Sequence, residues 1–429
     1  MKRFLGMISA AVFILIFFTS CASFKTGIDG LIVPPLLRND QKEIMSVLQK
    51  QSGQSVVLKY PVTGNNTSPF ITHDLDKDGE DEVIAFYSSV ASEKVKLALL
   101  NKTDGKWEIA FSLEGDGNSV MKADLIRFKG VSANNLIVGF TGSASGDVLT
   151  VYDLDSSGDV VCSYPFTEYQ IVSFGVGIRE SFAVFNLTGG AAEKQQAVSY
   201  HTYTAEGAVV SDLISGSTEI SSYRQVTASV MPDFSALIYV DSMVNNSIMT
   251  EVFRITDGKV SCALPLGCKR SIGIYCTDIN GDGYPEIPSV VSYTGNSAAD
   301  NASSLITPTR WFKMTGDTLV KVCDTAVNLN FGYALKLPER FENKIVLSQN
   351  DAGNALTAYV YTGDVSDLSK EIFTLRTVYA SDASDIEGYT KIKESNSVVY
   401  LAKVNNKIYD IDKNLEISYD EIKNCLIML

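Results

Sequence analysis

From Val56 onward, short apolar runs alternate with polar turns almost without interruption. The runs "VKLALL", "NLIVGFTG", "VLTVYDL", "ALIYVD", "TEVFRI", "KIVLSQ" and "TAYVYTG" are rich in β-branched and aromatic residues, and each is short enough for a single strand. Between them stand "TDGK" (103–106), "SSGD" (156–159), "AEGA" (205–208), a second "TDGK" (256–259) and "TGDT" (315–318). Asp-Gly and Gly-Asp pairs between apolar runs favour the tight turns of β-hairpins. The pattern predicts strand after strand joined by hairpins, an all-β chain. One stretch breaks the rule. From Asp40 to Gln51, Ile44, Val47 and Leu48 fall on one helical stripe, Asn39 or Asp40 can cap the start, and Gly53 can end it.

The hairpins recur as units. Apolar runs that open a unit lie near Phe70, Met121, Ile171, Tyr223, Ile272, Phe331 and Tyr389, a period of about fifty residues. Four short strands in a unit of this length predict a β-propeller, with seven blades from seven starts. Six or eight blades are the neighbouring counts, and two stacked sandwiches are the competing architecture. Persistence of the unit along most of the chain favours the propeller. The seventh unit is polar and ends in a short helical stretch. The early strand "SVVLKYP" is expected to return and complete that last blade, closing the open edge. An insertion, "TGNSAADNASS" (294–304), lengthens the later units.

The N-terminus follows other rules. Lys2 and Arg3 precede the apolar run "FLGMISAAVFILIFF" and then "TSCAS", a secretory signal layout too short for a bilayer span of about 20 residues. Phe18, Thr19, Ser20 and Cys21 resemble a bacterial lipobox, with Phe18 where Leu is usual. The resemblance implies that Cys21 is lipidated and becomes the mature N-terminus, anchoring the protein to the outer face of a membrane. An ordinary cleaved signal and an uncleaved anchor are the alternatives. The expected organisation is a signal peptide over 1–20, a tether containing Pro34 and Pro35 plus the helix over 21–55, and the propeller over 56–429.

Composition narrows the partners. The 429 residues are 45% hydrophobic and 20% charged, a globular balance, and the net charge of −14 repels phosphate backbones, so no nucleic-acid partner is expected. Besides Cys21 there are cysteines at 162, 262, 268, 276, 323 and 425, without the paired spacing of a zinc site. Cys162, Cys276 and Cys323 lie in apolar runs and read as buried thiols. Cys262 and Cys268 flank what reads as a turn, "ALPLG", and form the one pair worth testing for a disulfide.

The negative charge is concentrated. "DLDKDGEDE" (74–82) and "DINGDGYPE" (278–286) share the pattern D-x-[DN]-x-D-G-x-x-E. It places Asp74, Asp76, Asp78 and Glu82 in the first copy, and Asp278, Asn280, Asp282 and Glu286 in the second. Alternate spacing turns side chains 1, 3 and 5 toward one point, Gly79 or Gly283 supplies the sharp turn, and the carbonyl of position 7 (Glu80 or Tyr284) can add an oxygen. Such hard oxygen donors suit Ca²⁺. An EF-hand needs Glu at position 12, where this chain has Ala85 and Ser289, and flanking helices, where it has strands. Two calcium sites are expected, against the alternative of a hydrated acidic turn. "YDLDSSGD", with Asp153, Asp155 and Gly158, lacks the acid at position 9 and reads as a hairpin turn; so does "YDIDKNLEI" (409–417), which lacks the glycine.

These loops are similar to the calcium-binding loops of FG-GAP/VCBS-type repeats, known from the integrin α-subunit propeller. There the loops join neighbouring strands of a blade and the ion stiffens them. "LIVPPLL", the helix, "LKYP" and "DLDKDGEDEVIAFY" also resemble clostridial cell-surface lipoproteins with VCBS-like repeats, closely over the N-terminal third and loosely beyond. The resemblance implies location and fold rather than an activity.

Catalytic signals are sparse. The chain has two histidines, His73 beside the first acidic loop and His201 in the strand "VSYHTYT", where surface or half-buried exposure is expected. No GxSxG accompanies them, and there is no HExxH or P-loop. A carboxylate pair drawn from different blades would leave no local spacing; Asp124, Asp233 and Glu339, at the ends of inner runs, are the candidates. Trp107 and Trp311 read as blade packing, or as a platform for a sugar or peptide if exposed. The expected function is a binding module for an extracellular protein or glycan. A polysaccharide hydrolase or lyase and a structural envelope component are the alternatives.

Overall fold

The computed structural model describes residues 39–429 except 65, 144–145, 167, 177–178, 191–192, 211–213, 294–303, 383–385, 396 and 406–412. The signal, Cys21, most of the tether and most of the 294–304 insertion lie outside the described residues. Among the described residues no helix is long and apolar enough to cross a membrane. The described chain is all-β, with helix α1 at Asn39–Ser52 and helix α2 at Tyr419–Cys425. It forms two compact units, one of residues up to 60 with 68–115, the other of 61–67 with 116–429.

The first unit is one sheet and α1. Strand Glu82–Ser89 is central. One of its edges is shared end to end by Phe70–His73 and Val56–Leu58, and the other pairs with Ser92–Thr103, which pairs in turn with Lys106–Glu114. Every residue of Glu82–Ser89 is buried, and on the face of Val83, Ala85 and Tyr87 the cover is α1, which contributes Ile44 and Leu48 to a core that also includes Ala98 and Leu100. Val47 and Trp107 pack against its margin. Gly53, at φ +65°, donates to Lys50 O and ends the helix as the sequence predicts.

The second unit holds five sheets in sequence order. Sheet two runs Ser119–Ile126, Asn135–Ser143, Gly146–Asp153, Asp159–Phe166; sheet three Glu168–Val176, Arg179–Gly190, Glu193–Thr204, Gly207–Val210, with Ile214–Ser215 also on the third strand. Sheet four runs Ser222–Val230, Ala236–Val244, Ser247–Thr256, Lys259–Arg270. Sheet five is Ile287–Val290, Thr309–Thr315, Thr318–Asn328, Tyr333–Leu337 and Leu426–Met428. Sheet six orders Leu305–Ile306, Ile345–Gln349, Ala355–Val360, Glu371–Tyr379, Val398–Val404 and Thr390–Ser395. Every strand pairing among the described residues is antiparallel.

Consecutive sheets of this unit pack face to face, using the two-residue period of each strand. In sheet three, Ile171, Phe182 and Val184 face sheet two, while Val172, Ala183 and Phe185 face sheet four. In sheet four, Ile238 and Val240 meet sheet three, and Leu237 and Tyr239 meet Ile287 and Met314 of sheet five. Strands buried on both faces read as unbroken apolar runs. Antiparallel meanders succeeding one another as packed blades make the fold a β-propeller.

The hairpin signals hold. Asp104 and Gly105, Asp257 and Gly258, and Asn245 and Asn246 all lie at positive φ in two-residue turns, the primed geometry that matches strand twist. Three expectations need correction. Six sheets, rather than seven, are present among the described residues. The run at Phe331 leads into Tyr333–Leu337, which finds the free edge of Thr318–Asn328 and widens sheet five; the run at Tyr389 forms a hairpin that adds to Glu371–Tyr379 in sheet six. "SVVLKYP" does not complete a last blade either, since Val56–Leu58 pairs with Ser89, Ser88 and Tyr87 in its own sheet. Nor is there a turn between Cys262 and Cys268: both lie on the bulged strand Lys259–Arg270, and both thiols are free. Cys276 and Cys323 are buried as expected, and Cys162 is partly buried.

A buried ion pair ties sheet four to the segment that leads into sheet five. Arg270 and Asp241 have side chains 0% and 1% exposed, with Nη2 2.6 Å from Oδ1. Arg270 also donates to Thr250 Oγ1 (2.7 Å), Cys268 O (2.9 Å) and Ile274 O (2.8 Å). Asp241 accepts from Thr250 Oγ1 and, through Oδ2, from the Cys276 backbone at 2.7 Å. With both charges so fully bonded, removing one leaves the other buried and uncompensated, which costs about 3–5 kcal/mol. Arg270→Met is therefore expected to lower the urea-unfolding free energy by about that much. Asp241→Asn with Arg270→Met together should cost clearly less than the sum of the single changes. Additive losses would show that the two residues do not act as a pair.

Candidate functional site

Both acidic motifs join neighbouring strands, as read from the sequence. The residue before position 1 pairs with position 9 in each copy: His73 with Glu82, and Thr277 with Glu286. Between those rungs the two loops share four kinds of backbone bond, and the second adds two more, from Gly281 N and Asp282 N to Asp278 Oδ1. Position 1 accepts from the glycine at position 6, Gly79 to Asp74 Oδ2 at 3.2 Å and Gly283 to Asp278 Oδ2 at 2.7 Å. Position 3 accepts from position 5, Asp78 to Asp76 Oδ1 and Asp282 to Asn280 Oδ1. Position 5 accepts from position 7, Glu80 to Asp78 Oδ1 and Tyr284 to Asp282 Oδ1. The glutamate at position 9 reaches back to the N–H of position 2, Leu75 to Glu82 at 2.7 Å and Ile279 to Glu286 at 2.9 Å.

Positions 4 and 6 are left-handed in both loops: Lys77 (φ 65°) and Gly79 (φ 93°), Gly281 (φ 80°) and Gly283 (φ 86°). That is why the motif needs glycine at position 6.

The carboxylates converge. Asp74, Asp76 and Asp78 bring oxygens within 4.8 Å of one another, and so do Asp278, Asp282 and Glu286. Glu82 and Glu286 are the buried members, at 5% and 0% exposure. Burial, reinforced by neighbouring aspartates, raises Glu82 above the ordinary carboxylate range and pushes Glu286 up to about 7. Asp282 is instead held low, chiefly by the bond from Lys313. In the first loop Asp74 Oδ1 is buried with no hydrogen-bond partner. A buried, unsatisfied anionic oxygen facing two other carboxylates is a donor set that a hard divalent cation fits.

Of the residues the sequence singles out, Asp74, Asp76 and Asp78 meet, as do Asp278, Asp282 and Glu286. Glu82 and Asn280 serve each loop through hydrogen bonds, and Glu80 and Tyr284 donate their N–H groups inward. The turn at Asp153 and Asp155 is a hairpin turn, as read: Asp153 accepts from Asp155 N and pairs with Lys129. Lys313 was not legible in the sequence. Its Nζ lies 2.6 Å from Asp282 Oδ2 and 4.2 Å from the Tyr284 ring centre, yet it stands 31 positions away in the chain.

Two of the three catalytic candidates are separately engaged. Asp124 pairs with Lys122 at 3.1 Å and accepts from Asn66, and Asp233 caps its own turn through Ser235. Glu339 is exposed on a 3-10 turn and lines a cleft of about 430 Å³ with Asp324, Arg340 and Glu421. His201 departs from the expected exposure. It is 1% exposed, stacked on Phe182 at 4.6 Å and edge-on to Tyr164, because its strand is covered by the aromatic layer between sheets two and three. Burial lowers its pKa to about 4. Trp311 is buried, donating to Thr325 Oγ1, which confirms blade packing.

Two buried polar groups lie on the strands between sheets three and four. Gln196 is fully buried with neither amide atom bonded, and Glu251, 4% exposed, accepts from Ser217 N through Oε1 while Oε2 has no partner.

No family model and no curated protein matches the chain. Among solved structures, AofleA of Arthrobotrys oligospora is 12% identical over 61% of this chain and 74% of its own (TM-score 0.28). A lectin of Aleuria aurantia is 10% identical over 68% and 90% (TM-score 0.29), and a Bacillus licheniformis rhamnogalacturonan lyase is 10% identical over 85% and 73% (TM-score 0.31). The assignment to the propeller class rests on the order and packing of the sheets themselves.

Burial pushes Glu251 up to about 7, well above its unfolded value. The fold therefore favours the protonated acid. Stability from this group is present below the unfolded pKa and is lost as pH rises through 7. Glu251→Gln mimics the protonated acid. It is expected to exceed the parent in unfolding free energy by about 1–3 kcal/mol at pH 8, with the gap closing by pH 5. His201 acts oppositely: its stabilisation is present above about 6.5 and is lost as pH falls toward 4. A difference between Glu251→Gln and parent that stays constant from pH 5 to 8 would contradict the account.

Proposed function

We propose that this chain is an exported, calcium-stabilised β-propeller held on the outer face of a Gram-positive-type membrane by lipid on Cys21. We further propose that it serves as a binding module for a protein or cell-surface glycan. The observation that carries the metal reading is the repeated loop, with three converging carboxylates in each copy and a buried, unpartnered Asp74 Oδ1 in the first. Asp74, Asp76 and Asp78 would hold one ion, and Asp278, Asp282 and Glu286 a second, as in the FG-GAP/VCBS-type loops that these resemble. Bound calcium would supply stiffness, fixing the entry of a blade's strand. The membrane reading is supported by the charged start, the short apolar run and Cys21 in their sequence order.

Binding is favoured over catalysis by the engagement of Asp124 with Lys122 and of Asp233 with Ser235, which leaves neither poised for proton transfer. The second reading, a polysaccharide hydrolase or lyase, is supported by Glu339 and Glu421 sharing one cleft. A binding module retains its partner after Glu339→Gln, whereas an enzyme loses turnover.

Thermal unfolding in millimolar calcium should lie several degrees above that in EDTA, and Asp78→Ala should remove most of the difference. An unchanged midpoint in the parent would sink the metal reading. Cys21→Ala is expected to release the protein from isolated membranes into the soluble fraction. Retention there would mean that the apolar N-terminal run itself holds the membrane.

A further inference from the structure

The two loops share a backbone but differ in how their charge is met. In the second loop all six carboxylate oxygens of Asp278, Asp282 and Glu286 accept a hydrogen bond. Two of the donors are side chains. Asn280 Nδ2 spans Glu286 Oε1 at 2.8 Å and Asp282 Oδ2 at 3.3 Å, and Lys313 Nζ lies 2.6 Å from the same Asp282 oxygen. Lys313 is held from the far side by the face of Tyr284, itself the position-7 residue of the loop. It projects from strand Thr309–Thr315, which pairs with the outgoing strand Ile287–Val290, so the sheet fixes its place. In the first loop Asp76 stands where the second has Asn280. That exchange removes an amide donor and adds a carboxylate. Separately, Asp74 Oδ1 is buried and bare, whereas its counterpart Asp278 Oδ1 accepts from the Gly281 and Asp282 N–H groups. The acidic turn at Asp153 is met in the second manner, by Lys129.

We propose that Lys313 is the resident cation of the second loop, so that this loop is ordered without metal and takes calcium only by displacing the lysine, while the first loop is the one that requires the ion. The inference rests on the calcium reading proposed above and divides its two sites into unequal classes. An ammonium bonded to Asp282 must be moved, and its contact with Tyr284 given up, before a divalent ion can use that oxygen. Asn280 must also turn its amide so that oxygen, rather than nitrogen, faces the ion. Neither cost exists at Asp74, Asp76 and Asp78. Filling the first loop instead relieves an unsatisfied oxygen.

The test uses the full chain without its signal, titrated with calcium by calorimetry and unfolded thermally in EDTA. The parent is expected to show one strong calcium event, abolished by Asp78→Ala and kept in Asp282→Ala. In the Asp78→Ala background, adding Lys313→Met should strengthen the remaining weak event by up to about fivefold, the scale of one exposed ion pair. In EDTA, Lys313→Met alone should lower the unfolding midpoint, and Lys313→Arg should restore most of it by returning the charge. The proposal is overturned if Lys313→Met leaves the EDTA midpoint unchanged, if it leaves calcium affinity in the Asp78→Ala background unchanged, or if Asp282→Ala rather than Asp78→Ala abolishes the strong event. Absence of calcium binding in every protein would instead strike the metal reading itself. The EDTA comparison of Lys313→Met with Lys313→Arg would still decide whether the lysine is the loop's cation.

Discussion

A carboxylate held close to other carboxylates and away from water needs a positive charge beside it, and this acidic chain meets that requirement repeatedly. Asp241 has Arg270 in the core of sheet four. Asp324 has Arg310 in a two-pronged contact, with Lys321 and the Tyr293 hydroxyl beside it; burial alone would raise that acid, and these bonds hold it below its ordinary range. Asp153 has Lys129, and Asp282 has Lys313. The loop at Asp74, Asp76 and Asp78 concentrates as much negative charge as any of these and leaves an oxygen bare. Among these five, that loop alone keeps a buried carboxylate oxygen without a hydrogen-bond partner.

The same constraint orders the blades. The Arg270 and Asp241 pair bonds the backbone of Ile274 and Cys276, four and two residues before the second acidic loop begins. The rung between Thr277 and Glu286 then closes the loop, and the buried glutamate bonds back to Ile279. The loop is therefore clamped at its entry by a satisfied core ion pair and at its exit by its own last acid. In the first unit the equivalent rung, His73 with Glu82, opens the fully buried strand on which α1 packs. An ion in that loop would stiffen the place where the strand enters the core.

What could be read from the chain in advance followed from locality. The hairpins were legible because a two-residue turn needs residues that tolerate positive φ, and Asp104-Gly105 and Asp257-Gly258 announce themselves. The acidic loops were legible because all their donors fall within nine consecutive residues. Pairing at a distance was not. Nothing near Tyr333–Leu337 shows that it will widen sheet five, or that the hairpin after Tyr389 will add to sheet six, since an open edge accepts any strand of suitable register. Lys313 lies 31 residues from Asp282, and Arg270 29 from Asp241, so neither partnership has a spacing to reveal it. His201 sits in a strand of mixed polarity that reads as half-exposed, and only the aromatic layer above it accounts for its burial.

The unequal character of the two loops is tested most directly by anomalous diffraction from crystals grown without calcium and then soaked at a low concentration of the ion. The account predicts an ion among Asp74, Asp76 and Asp78, with Asp74 Oδ1 turned onto it, and Lys313 still bonded to Asp282 in the second loop. An ion in the second loop with Lys313 displaced, while the first loop holds none, would contradict it.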